Sequence, residues 1–582
     1  MTAACYLALA GEAHVLGERL STLVPPRGTQ WRLNLIFESS NLVIFASPET
    51  PHCPLQEQRG MVIGRLFRGG GGRCDPVDTL SLSESRHAGW SRGQSLLETL
   101  WGGYAAFLRD DDGIAVLRDP SGGMPVHHCE DGRIQLYFSD FGLLEDLDLG
   151  PPTLDDEFLR QWLTYPFLRT ARTGVAGQCE LLPGMCRRSG EAGAAVEMAW
   201  TPWRAAADES RIEEFDEAAR RLREVAMATV PRQLAGVDAP VLELSGGLDS
   251  SIVAACLTQG GIDFRAVNFV TAAPDGDERN YARLVAEHLG IELAELREDE
   301  LPLDLSPPPA RTLRPPLNPV LQPLNRALST HARQAGTADF VTGAGGDNLF
   351  GYITTAAPIL DAARDGGWRG AWETLQDVAT LGDCTIWKAA HYALRKHLRR
   401  SSRPLWKRDE RFLAPAGLAA EPDPHPWLDA PEGSHAGKIE HVQSLVLVHH
   451  FVDARYHSGE ALHHPLLNQP LIELCLAVPT WLWLRGGLNR AVARAAFADL
   501  LPVDIIQRRT KGRLESMCSR AFATNRERIA DLLLFGYLAQ RGLIDRAEVE
   551  AYLHAAGPPP DDAYFRMFDL VSLELWLRSW RS

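Results

Sequence analysis

The chain has 582 residues, more than one hydrophobic core comfortably supports, so we expect two domains of a few hundred residues each. Its contents of 45% hydrophobic and 23% charged residues are typical of globular proteins. The net charge of −16 argues against a nucleic-acid partner, which would require a basic face. The ten cysteines lack C-x-x-C spacing, which predicts reduced thiols in a cytoplasmic protein. No apolar run is long enough to predict a membrane span, and the first residues lack the basic segment of a signal peptide.

The first 200 residues are predicted to be rich in β-structure. Short apolar runs at residues 5–10, 33–37, 42–45 and 61–66 are separated by turn residues. A charged amphipathic pattern begins near Glu209 and leads into the next strand. We therefore predict a domain boundary near residue 205, which gives domains 1–205 and 206–582.

The second domain is predicted to open as an α/β unit. Strands at 240–244, 264–269 and 291–296 alternate with helices at 250–259 and 278–289. This alternation predicts a parallel sheet whose ligands bind at the carboxyl ends of its strands. Helical patterns dominate after residue 321, residues 401–433 suggest a mobile insertion, and Gly-Pro-Pro-Pro at 557–560 suggests a linker.

A short glycine loop joins the first strand of this unit to its helix. The residues are Ser245, Gly246, Gly247, Leu248, Asp249, Ser250 and Ser251. Amide groups at a helix N-terminus attract anions, and the glycines allow the backbone to approach a phosphate closely. The loop lacks the lysine of a Walker motif, so it predicts a different kind of phosphate site.

Three segments together resemble one enzyme family. Residues 245–251, SGGLDSS, resemble the pyrophosphate loop of enzymes that split ATP between its α and β phosphates. Residues 342–352, TGAGGDNLFGY, resemble the SGEGADELFGGY segment of asparagine synthetase B and the β-lactam synthetases. Leu501-Pro502 and the RRTKG stretch at 508–512 match the C-terminal LP…R-x-x-K of that family. The resemblance implies an α/β protein in which an adenine-nucleotide α-hydrolase-like synthetase domain follows a β-rich, glutaminase-like N-terminal (Ntn) domain.

The first domain resembles that glutaminase domain but departs from it at the nucleophile. GGYAAF at 102–107, RDPSGGMPV at 118–126 and LPG at 182–184 are similar to its segments. The family uses an N-terminal cysteine exposed by removal of Met1, whereas Thr2 stands here and the first cysteine is Cys5, inside an apolar strand pattern. The domain is therefore predicted to be degenerate, with Cys5 a buried small side chain. The substrate must then supply its own amine.

Position 344 separates the chain from two branches of the family. Asparagine synthetases have Glu and β-lactam synthetases Tyr where this chain has Ala344, which is neither acid nor base. The degenerate first domain, the intact pyrophosphate loop and the G-x-G-G-D segment together resemble the lasso-peptide cyclases. These are macrolactam synthetases that join a peptide's N-terminal amine to an Asp or Glu side chain. That resemblance implies a precursor peptide as substrate, with a leader peptidase and a leader-binding protein as partners. A small-molecule amide ligase and a non-catalytic scaffold remain as alternatives.

The resemblance also implies cofactors and residue roles. ATP and Mg²⁺ are expected, with Asp249 and Asp347 holding the metal and Lys511 stabilising the α-phosphate or the tetrahedral oxyanion. Arg508 and Arg509 are weaker candidates for the same role. Asp277 and Glu278 match a family acidic pair, although a preference for acidic residues at a helix start explains them equally well. The expected nucleotide-binding residues are Leu242, Ser245, Gly246, Gly247, Asp249, Ser250, Ser251, Val267, Phe269, Gly343, Gly345, Gly346 and Lys511.

Overall fold

The computed structural model describes most of the chain. It covers residues 4–22, 32–69, 76–110, 113–145, 147, 149–190, 193–273, 276–297, 303–306, 309–316, 319–398, 406–452, 460–512, 514–555 and 561–581. Thr2 and the predicted linker at 557–560 lie outside these ranges. Among the helices within them, none combines the length and hydropathy that crossing a membrane would require.

The N-terminal part contains two antiparallel sheets of six strands each, counted over the described residues. Its strands are β1 (Tyr6–Ala10), β2 (Asn34–Glu38), β3 (Leu42–Ala46), β4 (His52–Leu55), β5 (Gly60–Arg68), β6 (Leu100–Asp110), β7 (Gly113–Arg118), β8 (His127–Asp131), β9 (Ile134–Phe138), β10 (Cys179–Glu180), β11 (Met185–Gly190) and β12 (Gly193–Met198). The helices are α1 (Ala13–Thr22), α2 (Leu82–Trp90), α3 (Gln94–Thr99), α4 (Asp156–Thr164) and α5 (Pro202–Ala205). The strand orders are β10-β8-β9-β1-β3-β2 and β12-β11-β7-β6-β5-β4.

Alternation along β1 shows how the two sheets share a core. Tyr6 and Ala8 face a buried cluster that includes Phe107 of β6, in the other sheet. Leu7 and Leu9 belong to a second cluster on the opposite face of β1. Both faces of the strand are therefore buried, and its side chains alternate between two apolar layers.

The C-terminal part is built on a parallel sheet with the order β15-β14-β13-β16-β17. These strands are β13 (Val241–Glu243), β14 (Arg265–Val270), β15 (Leu293–Arg297), β16 (Asp339–Val341) and β17 (Ala461–His463), and a small hairpin adds β18 (Leu484–Arg485) and β19 (Leu488–Asn489). All four pairings in the larger sheet are parallel. The predicted fold class, β-rich antiparallel followed by α/β with a parallel sheet, is confirmed.

Helices surround this sheet and continue to the C-terminus. They are α6 (Phe215–Thr229), α7 (Leu248–Gln259), α8 (Arg279–Leu289), α9 (Gln322–Ala335), α10 (Gly346–Leu349), α11 (Ala357–Asp365), α12 (Gly367–Leu381), α13 (Ile386–Leu398), α14 (Ala436–Phe451), α15 (Gln469–Ala477), α16 (Ala491–Ala496), α17 (Val503–Ile506), α18 (Glu515–Thr524), α19 (Arg526–Phe535), α20 (Tyr537–Gln540), α21 (Arg546–His554) and α22 (Ala563–Ser579). Short 3₁₀ turns lie between several of them. The strands and helices predicted between residues 240 and 296 are present, with ends shifted by a few residues.

The prediction that residues 401–433 form a mobile insertion is wrong for the described part, 406–433. Trp427 is 1% exposed, and Phe412 and Leu413 are buried as well. The indole nitrogen of Trp203 donates to the carbonyl oxygen of Trp427 at 2.9 Å. Proline and charge dominate the composition of the segment, yet its few large apolar side chains are enough to pack it into the core.

Candidate active site

The glycine loop follows β13 directly and opens α7. Gly246 has φ +73°, and a Cβ there would lie 2.5 Å from the backbone nitrogen of Ala282 in α8. The loop is held internally, since the hydroxyl of Ser251 donates to the carbonyl of Gly247 at 2.7 Å and the hydroxyls of Ser245 and Ser250 lie 3.1 Å apart. No side chain caps the start of α7 among the described residues. The helix therefore presents an uncapped N-terminus, the usual setting for a bound phosphate.

The second glycine segment packs against the first turn of α7. A Cβ at Gly346 would lie 2.4 Å from Cγ of Asp249, and one at Gly343 would lie 2.5 Å from the backbone nitrogen of Ser250. Gly345 adopts φ +89° beside Leu467. Gly343 and Gly346 are required because side chains there would separate the two segments, whereas a Cβ at Gly345 would meet Leu467. Gly343 thus contacts α7, and its predicted contact with adenine remains a prediction.

Asp249 and Asp347 follow the neighbouring parallel strands β13 and β16, and their carboxylates converge. Nη1 of Arg490 lies 3.0 Å from Oδ1 of Asp249 and 2.6 Å from Oδ1 of Asp347. Burial raises the pKa of Asp249, and the neighbouring carboxylate of Asp347 raises it further. Burial would also raise the pKa of Asp347, but Arg490 and Lys511 outweigh it and hold that pKa below its usual value. The two carboxylates therefore meet at one point, where both contact Arg490.

Lys511 reaches the same carboxylate pair. Its Nζ lies 2.5 Å from Oδ2 of Asp347, and its side chain is 65% exposed. Desolvation would lower the pKa of Lys511, but the carboxylates of Asp347 and Asp249 outweigh it and raise the pKa. Lys511 is therefore a protonated, accessible cation beside the two carboxylates.

Arg508 and Glu278 hold the C-terminal segment against the glycine loop. Arg508 donates to Glu278 at 2.6 Å and to the carbonyl of Gly246 at 3.2 Å, and its guanidinium stacks 3.7 Å from the ring of Tyr281. Glu278 also accepts from the backbone nitrogen of Gly512 at 2.9 Å. Glu278 is thus a partner of the lysine segment rather than a simple helix-start residue. Arg508 is engaged in positioning, while Arg509 is exposed and donates to the carbonyl of Gly486.

Arg490 is the central residue that the sequence did not reveal. It follows β19 and adopts the left-handed conformation at φ +58°. Its neighbour Asn489 exchanges two hydrogen bonds with the backbone of Ile353, which fixes the hairpin against the segment after Asp347. An isolated arginine after a short hairpin carries no recognisable pattern, and only the tertiary fold brings it to the carboxylates.

The donor set fits a magnesium ion accompanying a nucleotide. Asp249 and Asp347 offer hard carboxylate oxygens at one point, as Mg²⁺ prefers. Arg490 and Lys511 contact these oxygens in the structure, so a bound Mg²⁺ would share the two carboxylates with two cations. Asp249 and Asp347 are the residues that would hold the metal. The predicted adenine site is less defined: Leu242 and Val267 have buried side chains, so that only their backbone could face a ligand, whereas Phe269 is half-buried.

Two cavities border the segment that follows Asp347. One has a volume of about 1010 Å³ and the other of about 550 Å³, and Tyr352, Ile353, Thr354 and Thr355 line both. The smaller one also reaches Asn348, next to Asp347. Single ligand pockets commonly measure about 300–1,000 Å³. The pair of cavities, which is built from distant segments, therefore offers more room than an amino acid needs.

Cys5 has no access to a substrate. Its side chain is fully buried at 0% exposure, in the apolar cluster that contains Leu7, Leu16 and Val43. Its backbone nitrogen donates to the hydroxyls of Ser47 and Thr50. The prediction that Cys5 is a buried small side chain is confirmed.

We expect Cys5→Ala to retain the full ligase activity of the enzyme, because the thiol is enclosed by apolar side chains. We also expect no glutamate release from glutamine. Both are measured by following product formation and, in parallel, glutamate with glutamate dehydrogenase. Glutamate release in proportion to product would contradict this expectation and show that the first domain is an active glutaminase.

Comparison with known proteins places the chain in a family. The asparagine synthase family model matches residues 221–578, and we conclude that the chain belongs to this family. Its members are ATP-dependent amide-forming ligases, and this is the class of the enzyme. Comparison with curated protein sequences gives no match.

Three solved structures show distant likeness. The NMN synthetase from Francisella tularensis is 16% identical with a TM-score of 0.16; the match covers 25% of this chain and 60% of that one. The glutamine phosphoribosylpyrophosphate amidotransferase from B. subtilis, complexed with ADP and GMP, is 12% identical with a TM-score of 0.19, covering 59% and 84%. An allosteric regulatory enzyme of purine biosynthesis is 11% identical with a TM-score of 0.18, covering 58% and 83%. These scores are too low to support a structural conclusion.

Proposed function

We propose that this ligase is a macrolactam synthetase of the lasso-peptide cyclase type. It would activate an Asp or Glu side chain of a peptide with ATP and join it to the peptide's own N-terminal amine. The observation that carries this proposal is the meeting of the glycine loop, Asp249, Asp347 and Lys511 beside cavities larger than an amino acid requires.

The chemistry follows from the poor reactivity of a carboxylate. Its oxygen would attack the α-phosphate of ATP, which forms an acyl-adenylate and expels pyrophosphate. The amine would then attack the acyl carbon, form the amide and expel AMP. A bound magnesium ion would offset the charge of the pyrophosphate.

The residues of the chain have separate tasks in this scheme. The uncapped start of α7 and the hydroxyls of Ser245 and Ser250 would receive the departing pyrophosphate. Lys511 would stabilise negative charge on the α-phosphate or on the tetrahedral oxyanion. Arg508 and Glu278 would keep the lysine segment seated on the loop.

The absence of an accessible glutaminase nucleophile at Cys5 favours a substrate that carries its own amine. Cys5 is enclosed, and Ala344 can replace neither the Glu nor the Tyr found in the related synthetases. The second candidate, a small-molecule amide ligase, would share the adenylation site. The size of the cavities favours the peptide. A non-catalytic scaffold would not need the carboxylates and Lys511 to meet.

We expect a peptide with a free N-terminal amine and an internal Asp or Glu to lose the mass of one water when incubated with the enzyme, ATP and Mg²⁺. Mass spectrometry measures this loss, and fragmentation locates the new amide. Matched control peptides carry an acetylated N-terminus or Asn or Gln at the acidic position. Cyclisation of the acetylated control, or turnover of free amino acids with no peptide reaction, would contradict the proposal.

The partners and the location of the enzyme follow from the same proposal. A leader peptidase would expose the N-terminal amine of the precursor peptide, and a leader-binding protein would deliver that precursor. Such a system would operate in the cytoplasm, where ATP is available. Purifying the enzyme with its peptidase and testing for complex formation addresses these partners directly.

A further inference from the structure

The cavity of about 1010 Å³ has a chemically distinct wall. Helix α13 contributes Lys388, Tyr392, Arg395 and Lys396 to its lining, and α14 contributes Glu440. Residues 388, 392 and 395 are four and three positions apart, so they share one face of α13. We call this space the α13 cavity.

The charges along this wall do not balance. Lys396 pairs with Glu440, which also accepts a hydrogen bond from the hydroxyl of Thr355 at 2.5 Å. Lys388 and Arg395 are exposed and form no ion pair with any acidic residue in the described part of the chain. Glu440 is the acidic member of the lining, against three basic residues. The wall therefore carries two positive charges that have no acidic partner within the cavity.

The sequence around α13 is also rich in basic residues. Residues 384–408 contain eight lysine and arginine residues and no aspartate or glutamate. The whole chain carries a net charge of −16, so this basic segment is opposite in sign to the rest of the protein. Of its basic residues, Lys388, Arg395 and Lys396 line the cavity, and cations on a cavity wall attract anionic groups.

The wall of the α13 cavity that contains Tyr352, Ile353 and Asn489 adjoins the active site. The backbone nitrogen of Tyr352 donates to the carbonyl of Asp347 at 2.9 Å, and the guanidinium of Arg490 lies 5.5 Å from the Tyr352 ring. Asn489, also in the lining, precedes Arg490 and is bonded to Ile353. A chain bound in the cavity would thus lie against the segment that holds the catalytic carboxylates.

We propose that the α13 cavity binds an anionic part of the peptide substrate, with Lys388 and Arg395 as its charge-recognising residues and Tyr392 between them. This inference rests on the proposed function, because it names the charge of the substrate that the same site accepts. The carboxylates can come from acidic side chains or from the C-terminus of the peptide. Both present the same chemistry to the two cations.

The test is a binding measurement without ATP, so that it does not depend on ligase activity. Fluorescence anisotropy is followed with three peptides of glycine, serine and tyrosine that carry a neutral fluorophore. The first contains a run of glutamates and has an amidated C-terminus. The second has glutamines in place of the glutamates and a free C-terminus, and the third has glutamines and an amidated C-terminus.

We expect the first or the second peptide to bind more tightly than the third, and their difference identifies the source of the carboxylate. Lys388→Gln and Arg395→Gln should each lower the affinity for the more tightly bound peptide about five-fold, as expected for exposed charge pairs. The matched control is Arg369→Gln on α12, which removes an exposed positive charge outside the cavity and should leave binding unchanged.

Three results would overturn the inference: equal binding of all three peptides, no binding of any peptide, or unchanged affinity in both cavity variants. Thermal unfolding of each variant verifies that it is folded, since both side chains are exposed and their loss should not disturb the core. Binding with the expected charge preference but without ligation of any peptide would support this site and contradict the proposed macrolactam reaction. The two failures are therefore distinguishable.

Discussion

Asp249→Ala and Asp347→Ala are each expected to reduce product formation by at least about a thousand-fold, because a metal site supplies several kcal/mol of charge stabilisation in the transition state. Both carboxylates contact one nitrogen of Arg490, and Asp347 also contacts Lys511. Removing either one leaves a single carboxylate to hold the magnesium ion and the two cations. Initial rates at saturating ATP and Mg²⁺ measure the effect.

The matched control is Asp499→Ala, which removes an exposed carboxylate paired with Arg223. It should leave turnover unchanged. Thermal unfolding and circular dichroism of all three variants establish that they are folded. Turnover close to that of the unmodified enzyme in either active-site variant would remove Asp249 and Asp347 from the metal site.

Lys511→Ala is expected to lower kcat by about two to three orders of magnitude with a much smaller effect on ATP affinity, as for a group that acts mainly in the transition state. Its amine is accessible, protonated and fixed beside Asp347. Steady-state kinetics give kcat, and equilibrium titration gives the affinity for ATP. The contrast between the two separates stabilisation of the transition state from simple binding.

Arg509→Ala is the control for Lys511, because Arg509 is an exposed cation two residues away that does not reach the carboxylates in the structure. It should change kcat little. Lys511→Arg keeps the charge but alters its geometry and should recover only part of the rate. A Lys511→Ala enzyme impaired in ATP binding alone would reduce the lysine to a positioning role.

The local part of the site could be predicted from the sequence. The strand, the glycine turn and the helix start at residues 241–251 are adjacent in the chain, so the phosphate site that they form could be predicted from the local sequence. The meeting of Asp249 and Asp347 was predictable because β13 and β16 are parallel neighbours whose carboxyl ends share one edge of the sheet. The burial of Cys5 was predictable because it lies in an apolar strand pattern, residues 5–10.

The rest of the site depends on long-range packing. Arg490 carries no local motif, and the cavities are assembled from segments as distant as Tyr352, Glu440 and Asn489. The role of Glu278 as partner of Arg508 required the C-terminal segment to fold back onto α8. The prediction of a mobile segment at residues 406–433 was wrong because it rested on the prolines and charges of the composition. The buried side chains of Trp427 and Phe412 anchor this segment in the core.

The central claim is that this enzyme activates a carboxylate by adenylation. The most direct test is to identify the nucleotide products formed with ATP, Mg²⁺ and a peptide that is turned over. We expect one AMP and one pyrophosphate for each amide formed, because the uncapped loop at Ser245–Ser251 is suited to receive pyrophosphate as a leaving group. ADP and phosphate as the stoichiometric products would contradict the account.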